Sequence, residues 1–186
     1  MKESISQIFS NAASLKSKIA SDETFLKSVE DAATILREVS NSGGVIYSCG
    51  NGGSACDAMH LTEELVARFK RERPGIKAMH FLDSSTLSCW SNDYSYQDVF
   101  KRYAETFCSP RDVLIVISTS GNSKNVILAA QAAKERGTKI IGLLGKGGGQ
   151  LLPLCDVSVV VPSDSTERIQ EVHISIIHAF CELLEQ

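Results

Sequence analysis

Two groups of residues in this sequence sit at spacings that could do chemistry. His60 and Glu64 are four apart in SACDAMHLTEELV, the interval that places two side chains on one face of a helix. Far downstream, RIQEVHISIIHAF carries Gln170, Glu171, His173 and His178 among large aliphatics. At about 100° per residue, His178 lies roughly 20° from Glu171, about 80° from Gln170 and about 140° from His173. His178 can therefore share a site with Gln170 or Glu171, and hardly with His173. Imidazole beside carboxylate suits either a metal centre or an acid–base pair working near neutral pH.

Two glycine- and hydroxyl-rich turns accompany these groups. Ser118-Thr119-Ser120-Gly121-Asn122-Ser123 follows an apolar run and leads into a helix. Its hydroxyls, its glycine and the free amides of a helix N-terminus form a phosphate cradle that needs no lysine. A polar helix cap would account for one serine, not for this density. Gly50-Asn51-Gly52-Gly53-Ser54-Ala55 fits G-x-G-x-x-A after a strand, and Asp83 stands where a ribose-binding acid could sit. A dinucleotide site is therefore a rival reading. That rival leaves the serine turn and the His60–Glu64 pair unused. GLLGKGGG is no Walker A, because its lysine lacks the following Ser or Thr.

The elements that must position these residues read as alternating β and α. Apolar runs at 45–49, 77–82, 112–118, 139–145 and 157–162 are continuous rather than alternating, as in parallel strands covered on both faces. Helical patterns occupy 3–20, 23–41, 54–70, 94–107, 123–136 and the stretch from Thr166 onward, with Gly137 as a stop signal. The expectation is one domain over 1–186: a three-layer α/β sandwich with a five-stranded, mainly parallel sheet, preceded by a helical hairpin over 1–42. A complete sandwich leaves such a hairpin little to cover. Its stripe of Ile5, Ile8, Phe9 and Ala12 therefore predicts burial against another subunit.

Bulk properties exclude several classes. A chain of 186 residues, 43% hydrophobic and 22% charged, suits a single globular domain. A net charge of −3 gives no footprint for non-specific nucleic-acid binding. The six cysteines form no C-x-x-C pair, and neither a secretory h-region nor a membrane-length apolar run is present. A cytoplasmic protein with reduced thiols, acting with neither nucleic acid nor membrane, is the economical expectation.

GNGGSACDAMHLTEELVARF, SNDYSYQDVF, DVLIVISTSGNSKNVI and RIQEVHISIIH, in this order and spacing, resemble the phosphoheptose isomerases of the sugar isomerase (SIS) superfamily, over nearly the whole chain. The resemblance implies a flavodoxin-like SIS fold and a homotetramer with active sites at subunit interfaces. It also implies an aldose–ketose isomerisation between sedoheptulose 7-phosphate and D-glycero-D-manno-heptose 7-phosphate through an enediol, feeding lipopolysaccharide or capsule heptose. It places one zinc ion per subunit on His60, Glu64, Gln170 and His178, with Glu64 and His178 catalytic, and leaves His173 structural. It assigns substrate contacts to Asn51, Gly52, Gly53, Ser54, Asn92, Asp93, Ser118, Thr119, Ser120, Ser123 and Gln170, with Arg68 nearby. Trp90 stands where the family usually has a smaller residue, which bears on substrate range. Non-catalytic SIS relatives, which bind a replication initiator or a sugar-phosphate effector, form the alternative; they lack the acid–base pair that this chain keeps.

Overall fold

The computed structural model describes all 186 residues. Helices α1 (Lys2–Ala20) and α2 (Glu23–Asn41) lead into β1 (Ile46–Gly50), α3 (Gly53–Val66), β2 (Ala78–His80), α4 (Ser84–Asp93) and α5 (Val99–Phe107). There follow β3 (Val113–Ser118), α6 (Lys124–Glu135), β4 (Lys139–Gly145), a 3-10 segment (Lys146–Leu154), β5 (Val157–Val161) and α7 (Thr166–Leu184). The five strands run in the order β2-β1-β3-β4-β5, and every pairing is parallel. The expected sandwich is present, and its sheet is wholly rather than mainly parallel.

Alternate residues of the strands feed two cores. Ile46, Val113, Ile115, Ile117, Ile141 and Leu143 face α2, α3 and α7, while Tyr47, Cys49, Leu114, Val116 and Ile140 face α5 and α6. All six residues of β3 are buried, which is why its sequence is an unbroken aliphatic run.

Three expectations change. First, α2 is not spare: Ala32, Ala33, Leu36 and Val39 are buried in the core, and the Asp22 carboxylate caps the helix by accepting from Thr24 N (3.0 Å) and Phe25 N (3.1 Å). Only the N-terminal part of α1 lies outside the sandwich, with Ile5, Ile8 and Phe9 exposed, while Ile19 at its other end is buried in the core. Second, α3 stops at Val66 rather than continuing to residue 70, because Ala67 (φ −80°, ψ −92°) leaves helical geometry. Third, the helix expected over 94–107 begins only at Val99, and a separate helix, α4, precedes it. Asp83 starts α4: its Oδ1 accepts from Thr86 N (2.8 Å), Ser85 Oγ (2.7 Å) and Thr86 Oγ1 (2.7 Å). The candidate ribose acid is thus a helix cap, and the dinucleotide reading loses its anchor.

His173 belongs to the core. It is fully buried, and its Nε2–H donates to Leu144 O at 3.1 Å. Burial pulls its pKa down to about 4. The fold holds this ring neutral, so its contribution is complete above the unfolded value near 6.5 and is lost as pH falls towards 4. Urea titrations from pH 7 to pH 4 should show this acid loss, and His173→Gln should flatten it by about 3 kcal/mol.

Candidate active site

The chain leaves β1 towards β2 on one side and returns to β3 on the other. The turns after β1 and β3 therefore diverge at the carboxyl edge and open a crevice at the switch point. In the first turn, Gly52 (φ 57°) reverses the backbone. The Gln170 amide of α7 packs so closely against Gly53 that a β-carbon there would displace it. In the second turn, Ser118 Oγ accepts from Gly121 N (3.1 Å) and lies 3.2 Å from Ser123 Oγ, while Ser120 Oγ accepts from Asn122 N (3.1 Å). The 3-10 segment braces this turn from behind through Leu151 N to Gly121 O (3.0 Å) and Gln150 N to Asn122 Oδ1 (3.1 Å). Ser123 faces Ser118 instead of capping α6, so the positive end of that helix stays open to an anion. Ser54, in the first turn of α3, is buried, and Thr119 is half-buried.

An amide pair locks the two turns together. Asn51 Nδ2 donates to Asn125 Oδ1 and Asn125 Nδ2 returns a bond to Asn51 Oδ1, both at 2.8 Å. Tyr96 O–H adds a third bond to Asn51 Oδ1 at 2.7 Å. The Asn51 carbonyl is thereby filled, and one Nδ2 hydrogen is left to point at a ligand.

On the neighbouring side of the crevice, α3 and α7 bring the titratable residues together. His60 Nε2 and Glu64 Oε1 are 3.2 Å apart, and His178 Nε2 lies 3.3 Å from His60 Nε2. One ligand atom from each of His60, Glu64 and His178 falls within 4.8 Å of the others, a group that could hold a metal ion. Phe69 stacks on the His178 ring (centroids 5.6 Å apart, 25° between planes) and fixes its orientation. A groove of about 360 Å³ beside this group is lined by Gly53, Cys56, Asp57, His60, Gln170 and Glu171. Gln170 and Glu171 both reach it, so the spacing ambiguity persists in space. Glu171, however, is drawn to Arg168 (2.7 Å), which leaves Gln170 the free one of the two.

The remaining candidates lie apart within one chain. Arg68 is exposed just beyond α3 and pairs with Glu72 at 3.3 Å. Asn92 and Asp93 are exposed at the end of α4, with Asn92 Nδ2 donating to Asp93 Oδ1 (2.8 Å). Trp90 does not face the crevice as a wall. Its Nε1–H donates to Asp98 Oδ1 (2.9 Å), and its ring stacks on Tyr94 (4.3 Å) with Arg102 alongside (5.2 Å). It closes the segment that carries Tyr96, and so bears on the site through Asn51.

Known proteins give the same picture. The SIS domain family matches residues 8–145. The phosphoheptose isomerase of Tolumonas auensis is 45% identical over 186 residues, all of this chain and 97% of that protein. This chain belongs to the phosphoheptose isomerases. Another family relative, from Cytophaga hutchinsonii, is 47% identical over 98% of this chain and 95% of its own length. The solved phosphoheptose isomerase structure from Neisseria gonorrhoeae superposes with a TM-score of 0.92 at 34% identity, over 99% of this chain and 98% of that one.

Sequence reasoning missed Asn125, Tyr96 and Asp57. The first two meet Asn51 from 74 and 45 residues away, and no local spacing announces them. Asp57 was within reach: it lies three residues before His60 on the same helical face. It is about nine-tenths buried, and its Oδ2 has no hydrogen-bond partner. Burial pushes its pKa up to about 6, against a smaller opposing pull from His60. The fold favours the neutral acid, so ionisation costs stability as pH rises from 3.8 through about 6. Asp57→Asn should accordingly stabilise the chelator-treated protein by about 3 kcal/mol at pH 8. Denaturant melts should show almost no gain from the same substitution at pH 3.

Proposed function

We propose that this chain interconverts sedoheptulose 7-phosphate and D-glycero-D-manno-heptose 7-phosphate as a zinc-assisted aldose–ketose isomerase. The observation that carries the reading is the convergence of Glu64 and His178 on His60, beside a serine turn open to phosphate. It occurs in a chain whose full-length relatives carry the phosphoheptose isomerase name.

The phosphate end is held by Ser118, Thr119, Ser120 and Ser123 with the α6 N-terminus, and by Ser54 with the start of α3. Asn51 offers its remaining Nδ2 hydrogen to a sugar hydroxyl. Glu64 is the base: Oε1 faces His60, which leaves Oε2 to take the proton from one carbon and return it to its neighbour on the same face of a cis-enediol. His178 moves the matching proton between the two oxygens while its Nε2 is off the metal, a task suited to an imidazole. The proton count closes, because each group ends the cycle as it began.

His60, Glu64, Gln170 and His178 are the zinc ligands in this reading. Zinc–nitrogen bonds of about 2.0–2.1 Å in a tetrahedron separate two donors by about 3.3 Å, which matches the His60–His178 spacing. A donor set without thiolate suits a catalytic rather than a structural ion. When bound, zinc supplies Lewis-acid polarisation of the substrate carbonyl.

Arg68, Asn92 and Asp93 stand apart from the cluster within one chain, and α1 exposes Ile5, Ile8 and Phe9. Both features support a homotetramer in which neighbouring copies complete each site. No helix is long and apolar enough to cross a membrane, and all six cysteines are unpaired; both are compatible with work in the cytoplasm. A regulator binding a replication initiator or a sugar-phosphate effector would have no use for an aligned Glu64–His178 pair.

The deciding measurement is isomerisation of sedoheptulose 7-phosphate with and without chelator. Turnover is expected and should fall on zinc removal, while Glu64→Gln should lose about 10²–10⁴-fold in kcat and still bind the sugar phosphate. Absence of turnover in both conditions would return the chain to the regulator class. Near-normal activity of Glu64→Gln would remove Glu64 as the base.

A further inference from the structure

The loop between α3 and β2 carries a buried ion pair that the chemistry above leaves unused. Arg73 and Glu185 meet at 3.2 Å (Nε to Oε1), with side chains only 13% and 3% exposed. The guanidinium spends its other donors on the end of α3: Nη2 donates to Glu64 O (2.8 Å) and Nη1 to Leu65 O (2.8 Å) and Pro74 O (3.2 Å). Glu64 O and Leu65 O belong to the last turn of α3, whose carbonyls lack intrahelical partners, and Ile76 N shares Leu65 O at 2.9 Å. Glu185 closes the end of α7, and its carboxylate also gathers the loop amides: Phe69 N (3.3 Å) on Oε1, and Lys70 N (3.0 Å) and Arg71 N (3.1 Å) on Oε2. Arg71 Nη1 adds a bond to Glu185 O at 3.1 Å.

One guanidinium–carboxylate pair thus joins the ends of the two helices that supply the donor cluster. It holds the peptide carbonyl of Glu64 itself. On α7, Glu185 stands seven residues beyond His178, about two turns along the same face. It also pins the amide of Phe69, whose ring lies on His178. We infer that Arg73, paired with Glu185, is a positioning residue that sets the separation and orientation of Glu64 and His178 and thereby tunes the metal site between α3 and α7. The inference rests on the zinc reading above. The serine turn stands outside this linkage, so phosphate binding is expected to be indifferent to it.

The test compares the full-length protein with Arg73→Lys, Arg73→Met, Glu185→Gln and the double variant Arg73→Met/Glu185→Met. Four quantities are read: Tm, zinc affinity by competition with a chelating dye, and kcat and KM for sedoheptulose 7-phosphate. Partners of this kind move metal affinity by about 10–100-fold, and that weakening is expected for Arg73→Lys and Arg73→Met, with kcat reduced and KM within about twofold. The double variant removes both buried charges at once and should regain Tm, yet its zinc affinity should stay weak. Recovery of affinity together with Tm would make the pair purely structural and overturn the inference. So would a folded Arg73 variant with parental zinc affinity and kcat. Should Arg73→Met fail to fold, Arg73→Lys and the double variant carry the comparison. A parental protein that binds no zinc would instead overturn the metal assignment, and an unchanged kcat in the same variants would then overturn the positioning role.

Discussion

The structure depends on α3 and α7 lying side by side on one face of the sheet, although the 99 residues 67–165 separate them. Ala58, Leu61 and Leu65 of α3 share a core with Val172, Ile176, Ile177 and Phe180 of α7, all burying aliphatic surface against β1, β3 and β4. Burying such a side chain is worth about 1.5–3 kcal/mol, and the seam contains many of them. That apolar stripe fixes the register of both helices, and register decides which residues reach the crevice. His60 and Glu64 project from α3 towards His178 and the groove beside Gln170, while His173, on the opposite side of α7, points into the core. The same packing energy therefore buries one histidine of α7 as a strut against β4 and turns another towards His60 and Glu64.

The polar half of the site is built on a different principle. Its two turns rise from neighbouring strands, and parallel pairing from Ile46–Val113 to Gly50–Ile117 sets their relative height to within one residue. Backbone shape does the rest: Gly52 and Gly121 take positive φ, and the glycine run of the 3-10 segment lets a second loop press against the serine turn. The Asn51–Asn125 amide pair then ties the turns across the gap. A phosphate would meet groups already fixed in place, so little ordering entropy would be spent on binding.

Much of this was visible in the residue order. Five apolar runs matched the strands, most closely at β1, β3 and β4, whose near-complete burial leaves no polar face to interrupt them, whereas half-buried β2 spans only Ala78–His80. The four-residue interval of His60 and Glu64 survived into space because a helix enforces it locally. What failed to show was set by distant partners. Asp83 precedes a helix whose residues, SSTLSCWSND, have weak intrinsic helical preference; its start is held by the Asp83 cap and it packs against α5. The end of α3 is bound by Arg73, whose partner Glu185 no window around residue 66 contains. The place of α2 in the core was hidden for a similar reason, since its stripe looks the same whether it covers a sheet or a neighbouring subunit.

The long sequence separation of α3 and α7 also has a temporal side. A chain synthesised from its N-terminus completes all five strands before α7 exists. Until then, one face of β1, β3 and β4 lacks part of its cover, and His60 and Glu64 have nothing opposite them. The His60–Glu64–His178 cluster consequently forms only when α7 docks, and its appearance coincides with the closing of that part of the core. In such an architecture a nascent chain carries no half-formed activity, and its period of greatest stickiness falls just before it becomes competent.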